Sequence, residues 1–475
     1  MLRRMISLVL LLTVALPSFA ADWPHWGGGL GRNMVNSTEK NMPTQWNIQT
    51  GENIKWVKPL GSLAYGNPVV AGGRIYVGTN NSGLYDKAVD GDKGNILCFK
   101  ESDGSFLWQA VHDKLKAGRV NDWPLQGICS AVEVEGNRAW YLNNRCEAIC
   151  VTVEGLGQKN LGVTDEAYQG KGKADIIWRH DMIEELGVFP HNLATSSSLI
   201  LGELLYFVTG NGVDEGHLGI PSQTSPSVVA FNKNSGEWAW EFVVHGQVLH
   251  GQWSSCSAGS VNGRMQIFFP GGDGWMYGLD AKTGKLIWKF NCNPADSVWE
   301  LGGYGTKNNI IATPVFVDGR VYVGVGQDPE HGTGVGHLHC IDPAGKGDVT
   351  ATHGKWHRGG ADFGRTLSTV AIADGLLYIA DLEGKFYCLD VTTGKAIWTH
   401  NLKSAIWGSP MLVDGKVYIG AENRDLTIFA HGRTKRVINV MKFDENVYTT
   451  PTAANGVLYI ATKSKLYAIA NENVK

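Results

Sequence analysis

Short apolar runs, each bounded by a glycine turn, repeat along most of this chain. The run GRIYVG at 73–78 returns as GRVYVG at 319–324, GLLYIA at 375–380, GKVYIG at 415–420 and GVLYIA at 456–461. Each follows another apolar run, such as NPVVAG or SPMLVD, across one tight turn. Apolar runs of about 4 to 8 residues between glycine turns are typical of β-strands. The pattern therefore predicts many short antiparallel strands joined as hairpins.

A second motif ends most of these repeats: a glycine turn followed four residues later by tryptophan. It is clearest in FKESDGSFLW, FNKNSGEWAW, LDAKTGKLIW and LDVTTGKAIW, which end at Trp108, Trp240, Trp288 and Trp398. Glycine suits the turn because it takes positive φ at little cost. A large flat ring on the following strand can pack between neighbouring sheets. The same position is filled by Trp56, Trp178 and Trp356, and in one unit by Ile438.

The repeats count to eight units, and four radial strands in each give an all-β fold, an eight-bladed β-propeller with four-stranded antiparallel blades. The blades are predicted near 64–112, 127–180, 192–244, 253–291, 309–358, 366–401, 407–443 and 447–470. The last unit lacks an outer strand, and residues 52–60 offer one. We therefore expect the N-terminal strand to join the last blade and close the ring, so that no sheet edge stays open. Residues 22–475 would form this single domain.

The inner strands begin at small polar residues, which we expect to hydrogen-bond neighbouring blades or water in the channel. They are Asn67, Ser130, Ser196, Ser257, Thr313, Thr369, Ser409 and Thr450.

The first residues predict export. MLRRMISLVLLLTVALPSFAADW has two arginines, an apolar run too short to span a membrane, and small residues before a cleavage point. We interpret residues 1–21 as a cleaved signal peptide and expect a periplasmic or extracellular protein. The formal net charge of −3 indicates no basic surface for nucleic acid.

These repeats resemble the A-x-D-x-x-T-G-x-x-x-W repeats of quinoprotein dehydrogenase-like propellers, the family named for pyrroloquinoline quinone. DWPHWGGGLGRN at 22–33 is similar to the opening of exported members. The resemblance implies an oxidoreductase with the quinone, a calcium ion and an adjacent cysteine pair. The eight cysteines here include no adjacent pair, so we predict that the quinone is not retained. The spacing of Cys146 and Cys150 allows either a local disulfide or two free thiols.

Long loops indicate where a site would lie. In a propeller, the loops between the second and third strands and the connections between blades emerge on one face, and here they are long in blades one to five. They carry the candidate metal ligands Asp214, His217, His250, Asp328, Glu330, His331 and His337. Mixed carboxylates and imidazoles could hold zinc or another transition metal, or serve acid–base catalysis. The alternative is that they cap turns and stay solvated.

A candidate ligand pocket lies at the channel mouth. By alignment of the repeats, Tyr65, Trp407 and Tyr448 face Arg365 and Gln126, with Trp253 beside them. Such a set suits a flat or sugar-like ligand. Three functions fit these features. The first is a propeller that binds a small molecule, a glycan or a protein, the last as an assembly scaffold like the outer-membrane assembly propellers that this sequence also resembles. The second is a quinone and calcium oxidoreductase, and the third is a metal-dependent enzyme.

Overall fold

A computed structural model describes residues 21–82, 85–157, 159–245, 248–301, 305–327 and 329–471. They form eight antiparallel sheets with four radial strands each, which confirms the predicted eight-bladed propeller. Residues 1–20 of the predicted signal peptide, and Asp328, lie outside the described residues. Within the described part of the chain, no helix is long and apolar enough to cross a membrane.

The first four blades follow one another along the chain, and their strands run from the channel outwards. Blade one consists of Val69–Ala71, Arg74–Asn80, Lys93–Lys100 and Phe106–Asp113; blade two of Glu133–Glu135, Arg138–Leu142, Glu147–Thr152 and Ile176–Asp181; blade three of Leu199–Leu201, Leu204–Val208, Val228–Asn232 and Trp238–Phe242; blade four of Ser257–Val261, Arg264–Pro270, Trp275–Asp280 and Leu286–Asn291.

The other four blades complete the ring in the same order. Blade five consists of Val315–Val317, Arg320–Val325, Val335–Ile341 and Gly354–Gly364; blade six of Ala371–Ala373, Leu376–Ala380, Lys385–Asp390 and Ala396–Asn401; blade seven of Met411–Val413, Lys416–Gly420, Asp425–Ala430 and Val437–Lys442; blade eight of Thr452–Ala454, Val457–Ala461, Lys465–Ile469 and the N-terminal Ile54–Pro59. Two short strands, Val35–Asn36 and Gly347–Asp348, add parallel edges to blades seven and four. Short helical segments lie at Gly118–Val120, Met182–Leu186, Pro329–His331 and Thr350–His353.

Closure of the ring is as predicted. The N-terminal strand pairs antiparallel with the third strand of blade eight, and Trp56 lies opposite Ala468. Blade eight is therefore built from both ends of the described chain.

In six of the eight blades, a tryptophan on the outer strand fastens the blade to the next one. The indole nitrogen of Trp108 in blade one donates to the Val153 carbonyl of blade two at 2.9 Å. The same bond joins Trp178 to Lys233, Trp240 to Ala281, Trp356 to Val391, Trp398 to Gly432 and, across the ring closure, Trp56 to Glu101. The accepting carbonyl belongs in each case to the turn after the neighbour's third strand. A blade therefore buries its tryptophan only against the next blade.

Glycine in that turn is needed for two reasons. Gly104 and Gly236 have φ of 67° and 76°, which L side chains rarely adopt. A Cβ at Gly104 would also lie 2.8 Å from the ring of Trp56, and one at Gly284 would lie 2.4 Å from that of Trp240. Trp288 departs from the pattern: it donates to Gln266 Oε1 at 2.8 Å, and the strand Gly347–Asp348 pairs beside it.

Polar side chains join the inner ends of the blades, as predicted. The backbone N–H of Thr369 donates to Ser409 Oγ at 2.9 Å, that of Ser409 to Thr450 Oγ1 at 2.9 Å, and that of Thr450 to Asn67 Oδ1 at 2.8 Å. In blades two to four the predicted residues are wrong by one or two positions. Ala131, Ser197 and Ser255 occupy the ring there, in place of Ser130, Ser196 and Ser257. The runs SSS and SSCS allow either register, and only strand pairing decides between them.

A segment before the first blade, residues 22–37, lies across the channel on the face opposite the long loops, and we call it the strap. Its backbone bonds the inner strand of one blade after another: Trp23 with Val70, Pro24 with Val134, Leu30 with Ala258, Gly31 with Phe316 and Met34 with Leu412. The side chains of Asn33 and Asn36 reach blades six and eight. The channel is therefore closed at this end.

Arg32 anchors the strap in blades three and four. Its guanidinium is fully buried and donates to the carbonyls of Trp26, Ser198 and Cys256. Glu133 of blade two lies 3.5 Å from it. Burial raises the pKa of Glu133 to about 7, and the charge of Arg32 opposes that shift.

Three histidines form a stack in blade five, in which His337 and His339 are buried and His357 is exposed. His337 and His339 lie on the third strand, paired with Gly359 and His357 of the fourth. His339 and His357 stack at 4.5 Å, and His337 Nδ1 lies 3.1 Å from His357 Nε2. The expectation that His337 belongs to the loop with His331 is therefore wrong. The third strand of blade five begins at Val335 and therefore includes His337.

The docking contacts predict a specific loss of stability. Replacing Trp56, which is 8% exposed, by alanine removes the contact that closes the ring. We expect a loss of about 3 to 5 kcal/mol in the free energy of unfolding, measured by urea titration. Trp238→Ala is the matched control, because Trp238 also lies on an outer strand but is 54% exposed. Equal effects of the two substitutions would show that the closing tryptophan has no special role.

The histidine stack predicts a pH dependence. Burial lowers the pKa of His337 to about 4, and the neighbouring His357 lowers it further. The unfolded chain binds this proton near pH 6.5. The contribution of neutral His337 to the free energy of unfolding is therefore fully present above about pH 6.5 and is lost as the pH falls towards 4. His337→Gln should make the unfolding free energy less dependent on pH over this range, whereas replacement of the exposed His245 should not. A pH profile unchanged by His337→Gln would contradict the assignment.

Candidate functional site

Three imidazoles from separate segments meet on the long-loop face. His191 lies in the connection between blades two and three, His217 in the loop between the second and third strands of blade three, and His250 in the connection to blade four. One nitrogen of each ring lies within 4.8 Å of one from each of the others. The ring centroids are 4.6 to 4.9 Å apart. We call these three residues the histidine cluster.

Backbone pairing fixes the segment that carries His191. Its N–H donates to the carbonyl of Gly210 at 3.1 Å, and the N–H of Gly212 donates back to Phe189 at 2.9 Å. His191 Nδ1 donates to the Val213 carbonyl at 2.8 Å. That bond fixes the tautomer in which Nε2 carries the lone pair. A carbonyl bonded to one ring nitrogen in this way orients an imidazole whose other nitrogen binds a metal ion.

A tight turn presents His217. Its N–H donates to the carbonyl of Asp214, whose carboxylate accepts from the N–H of Leu218 at 2.9 Å. His217 has φ of 57°, in the left-handed region that few residues other than glycine adopt. Asp214, predicted as a metal ligand, thus caps the turn that carries His217. A non-glycine residue held in this region is often found at functional sites.

His331 extends the histidine cluster towards blade five. Its ring lies 4.6 Å from that of His250 and 5.6 Å from that of His217. Glu330 and Glu215 line the same cavity, whose volume is about 280 Å³. Arg119 at its edge pairs with Glu215 at 2.8 Å. The cavity therefore combines imidazoles with carboxylates.

The sequence predicts Arg365 in the pocket at the channel mouth, but Arg365 is not among the residues that line it. It is buried beneath the blade-five loop, where its guanidinium donates to the carbonyls of His331 at 2.8 Å and Gly305 at 2.6 Å. Its place in the repeat is as expected, but the long loop of blade five folds back over it. Arg365 therefore holds the backbone that carries His331.

The pocket at the channel mouth, which we call the central pocket, lies beside the histidine cluster and has a volume of about 230 Å³. Gln126, Trp253 and Trp407 line it, as predicted. Tyr65 packs against Trp407 at 5.7 Å and against Tyr448 at 5.2 Å. Deeper in the channel lie the polar side chains that join the inner ends of the blades, and Trp26 of the strap, whose indole donates to Thr313 at 3.3 Å. Three residues, Trp123, Asn192 and Glu330, line both this pocket and the cavity of the histidine cluster. The two spaces are therefore adjoining parts of one site.

The central pocket does not match a quinone and calcium site. Calcium takes about six to eight oxygen ligands, whereas Glu330 carries the one carboxylate among the described residues that line the pocket. Cys129 is a single thiol there, and burial raises its pKa to about 12. Cys146 and Cys150 are both free. The residues of this pocket therefore do not fit the quinone with its calcium ion.

The histidine cluster has the chemistry of a transition-metal site. Neutral imidazoles suit zinc, copper and nickel, and three protein ligands leave a position open for water or a ligand. Sequence reasoning selected His217, His250 and His331 but did not select His191 as a ligand. A signal was present, because His191 and His250 each precede the inner strand of successive blades by a few residues.

Comparison with known proteins identifies the repeat type. The PQQ_2 family, described as outer membrane protein assembly factor BamB, matches residues 171–296 and 334–437. Tetrathionate hydrolase of Acidithiobacillus ferrooxidans is 27% identical over 147 residues, which cover 28% of this chain and 26% of that protein. 1-Butanol dehydrogenase (cytochrome c) of Thauera butanivorans is 28% identical over 150 residues, covering 30% and 19%. The chain thus matches about a quarter or less of the length of these relatives.

A solved structure shows the same fold at greater coverage. BamB from Moraxella catarrhalis aligns with a TM-score of 0.52 and 15% identity over 87% of this chain and 96% of that one. At this identity the likeness concerns the fold alone. Together with the ring of eight blades and the tryptophan-docking repeats, these matches show that the chain is a quinoprotein-like β-propeller built from repeats of the pyrroloquinoline-quinone type.

Proposed function

We propose that this propeller is a metal-dependent ligand-binding protein, with a transition-metal ion held by His191, His217 and His250 at the mouth of the central pocket. The observation that carries the proposal is the convergence of three imidazoles, whose nitrogens lie within 4.8 Å of one another although they come from three separate segments. Histidines that only cap turns or face solvent have no reason to converge.

The donor set selects the ion. Imidazole nitrogen prefers zinc, copper or nickel over calcium and magnesium, which take oxygen. Zinc lies about 2.0 to 2.1 Å from an imidazole nitrogen, so small rotations of the three rings would bring them into range. His331 lies at the distance of a fourth ligand or of a group that contacts the bound ligand.

The adjoining pocket defines the ligand. Its walls combine aromatic side chains, Trp253 and Trp407 among them, with aliphatic ones, and Gln126 is one of its polar groups. Aromatic walls suit a flat apolar face or the apolar face of a sugar ring. We therefore infer a small molecule or glycan that places a polar end on the ion and a flat face in the central pocket. The ligand enters from the long-loop face, since the strap closes the other end.

Two further parts of the proposal concern partners and location. Export through a cleaved signal peptide to the periplasm or cell exterior follows from residues 1–21. Similarity to a protein described as an outer membrane protein assembly factor supports a protein partner on the same face as an alternative ligand. The quinone-dependent alternative predicts a bound chromophore, so an absorption spectrum with metal analysis of the exported protein separates it from the metal site.

The metal site predicts one zinc ion per chain in calorimetric titration of metal-free protein. His191→Ala or His250→Ala should weaken binding by at least about 100-fold, since loss of even an outer partner of a ligand costs up to that factor. His400→Ala, on the outer strand of blade six, is the matched control and should bind as the wild type does. Circular dichroism of each metal-free variant shows whether it keeps the fold. Absence of saturable binding to the wild type, or equal binding by all the variants, would refute the site.

A further inference from the structure

A second cavity lies at the outer rim between blades one and two, away from the histidine cluster, and we call it the rim cavity. Its volume is about 250 Å³. One wall is the outer strand of blade one, from Gln109 to Asp113, and the other is the loop from Asp165 to Tyr168 of blade two. The hydroxyl of Tyr168 donates to Asp113 at 2.6 Å and joins the two walls.

The charges of the rim cavity do not balance. Four carboxylates line it, from Asp113, Glu147, Asp165 and Glu166, against the two guanidinium groups of Arg145 and Arg179. Arg145 pairs with Glu147 at 3.5 Å and Arg179 with Asp165 at 2.8 Å, while Lys93 approaches Asp113 to 2.8 Å from outside the lining. His112 adds no positive charge near neutral pH, because burial lowers its pKa to about 3. Among the described residues, these pairs leave one carboxylate outside any ion pair.

That carboxylate belongs to Glu166, which is 9% exposed. Its Oε1 accepts from the backbone N–H of Ile176 at 3.0 Å. Its Oε2 is buried and has no hydrogen-bond partner among the described residues. A buried carboxylate oxygen without a donor costs free energy. The cost is removed when a ligand brings a donor and a positive charge.

The arrangement favours an organic cation over a metal ion. In the described part of the chain, the one group of three or more histidine, cysteine or acidic side chains close enough to share an ion is the histidine cluster. The carboxylates of the rim cavity are spread around its wall instead. An ammonium group needs only one or two acceptors and carries several N–H donors.

We propose that the rim cavity binds a small primary amine, whose ammonium group donates to Glu166 Oε2. The flanking pairs of Arg145 with Glu147 and of Arg179 with Asp165 would admit a short polar or aliphatic chain beside them. The inference does not depend on the metal site, because the two cavities share no lining residue.

The test is calorimetric titration of the whole protein with 1,4-diaminobutane, with 1,4-butanediol as the uncharged probe. We expect saturable binding of the diamine and none of the diol. Glu166→Gln keeps an acceptor for Ile176 but removes the charge, and should weaken diamine binding by about tenfold or more. Glu154→Gln replaces an exposed carboxylate of the same blade and should leave binding unchanged.

Thermal unfolding gives a second measurement. The diamine should raise the melting temperature of the wild type and of Glu154→Gln but not that of Glu166→Gln. Wild-type protein that does not bind the diamine, or that binds it as tightly after Glu166→Gln, overturns the proposal. Calcium binding that is lost in Glu166→Gln would also overturn it, since the cavity would then be a metal site.

Discussion

The contact between an indole ring and the turn glycine of the next blade is the constraint on which this molecule depends. A four-stranded blade has two faces to cover, and neither can be covered within the blade itself. Gly104, Gly236 and Gly284 leave room at their turns for the tryptophan of the preceding blade. Trp56 of blade eight makes the same contact with blade one, so that the series of blades closes on itself.

The strap adds a second constraint, which gives the channel one open end. A ring of blades by itself has two open ends. The strap bonds the inner strands in succession, and Arg32, buried with Glu133 nearby, fixes its middle. Trp26 then forms the floor of the central pocket. A ligand of the central pocket would therefore enter from the opposite face, where the loops that carry the histidine cluster lie.

The histidine cluster shows how such a face becomes a site. The blade core positions the starts of the loops, and hydrogen bonds to the loops orient the histidines that they carry. The turn capped by Asp214 presents His217, while Arg365 holds the backbone of His331 in the loop of blade five. The rim cavity differs, since it lies between two blades rather than over the channel, and its unpaired carboxylate comes from a loop unique to blade two. One scaffold therefore offers two kinds of space, one at the channel and one at a junction between blades.

The sequence by itself determined the fold, because the signals for it are local and repeated. Strand length, turn glycines and the spacing to tryptophan appear in almost every unit, and one unit without an outer strand implied closure by residues 52–60. It also indicated the face that carries the long loops and brought forward His217, His250 and His331. Tertiary structure alone decided which side chains meet. His337 joins a strand, Arg365 turns beneath a loop and His191 enters the histidine cluster, because loop conformation depends on contacts between residues far apart in sequence. A shift of one residue in a strand, as at Ser196 and Ser197, exchanges the two faces, and nothing in a run of serines fixes that register before the blades pack.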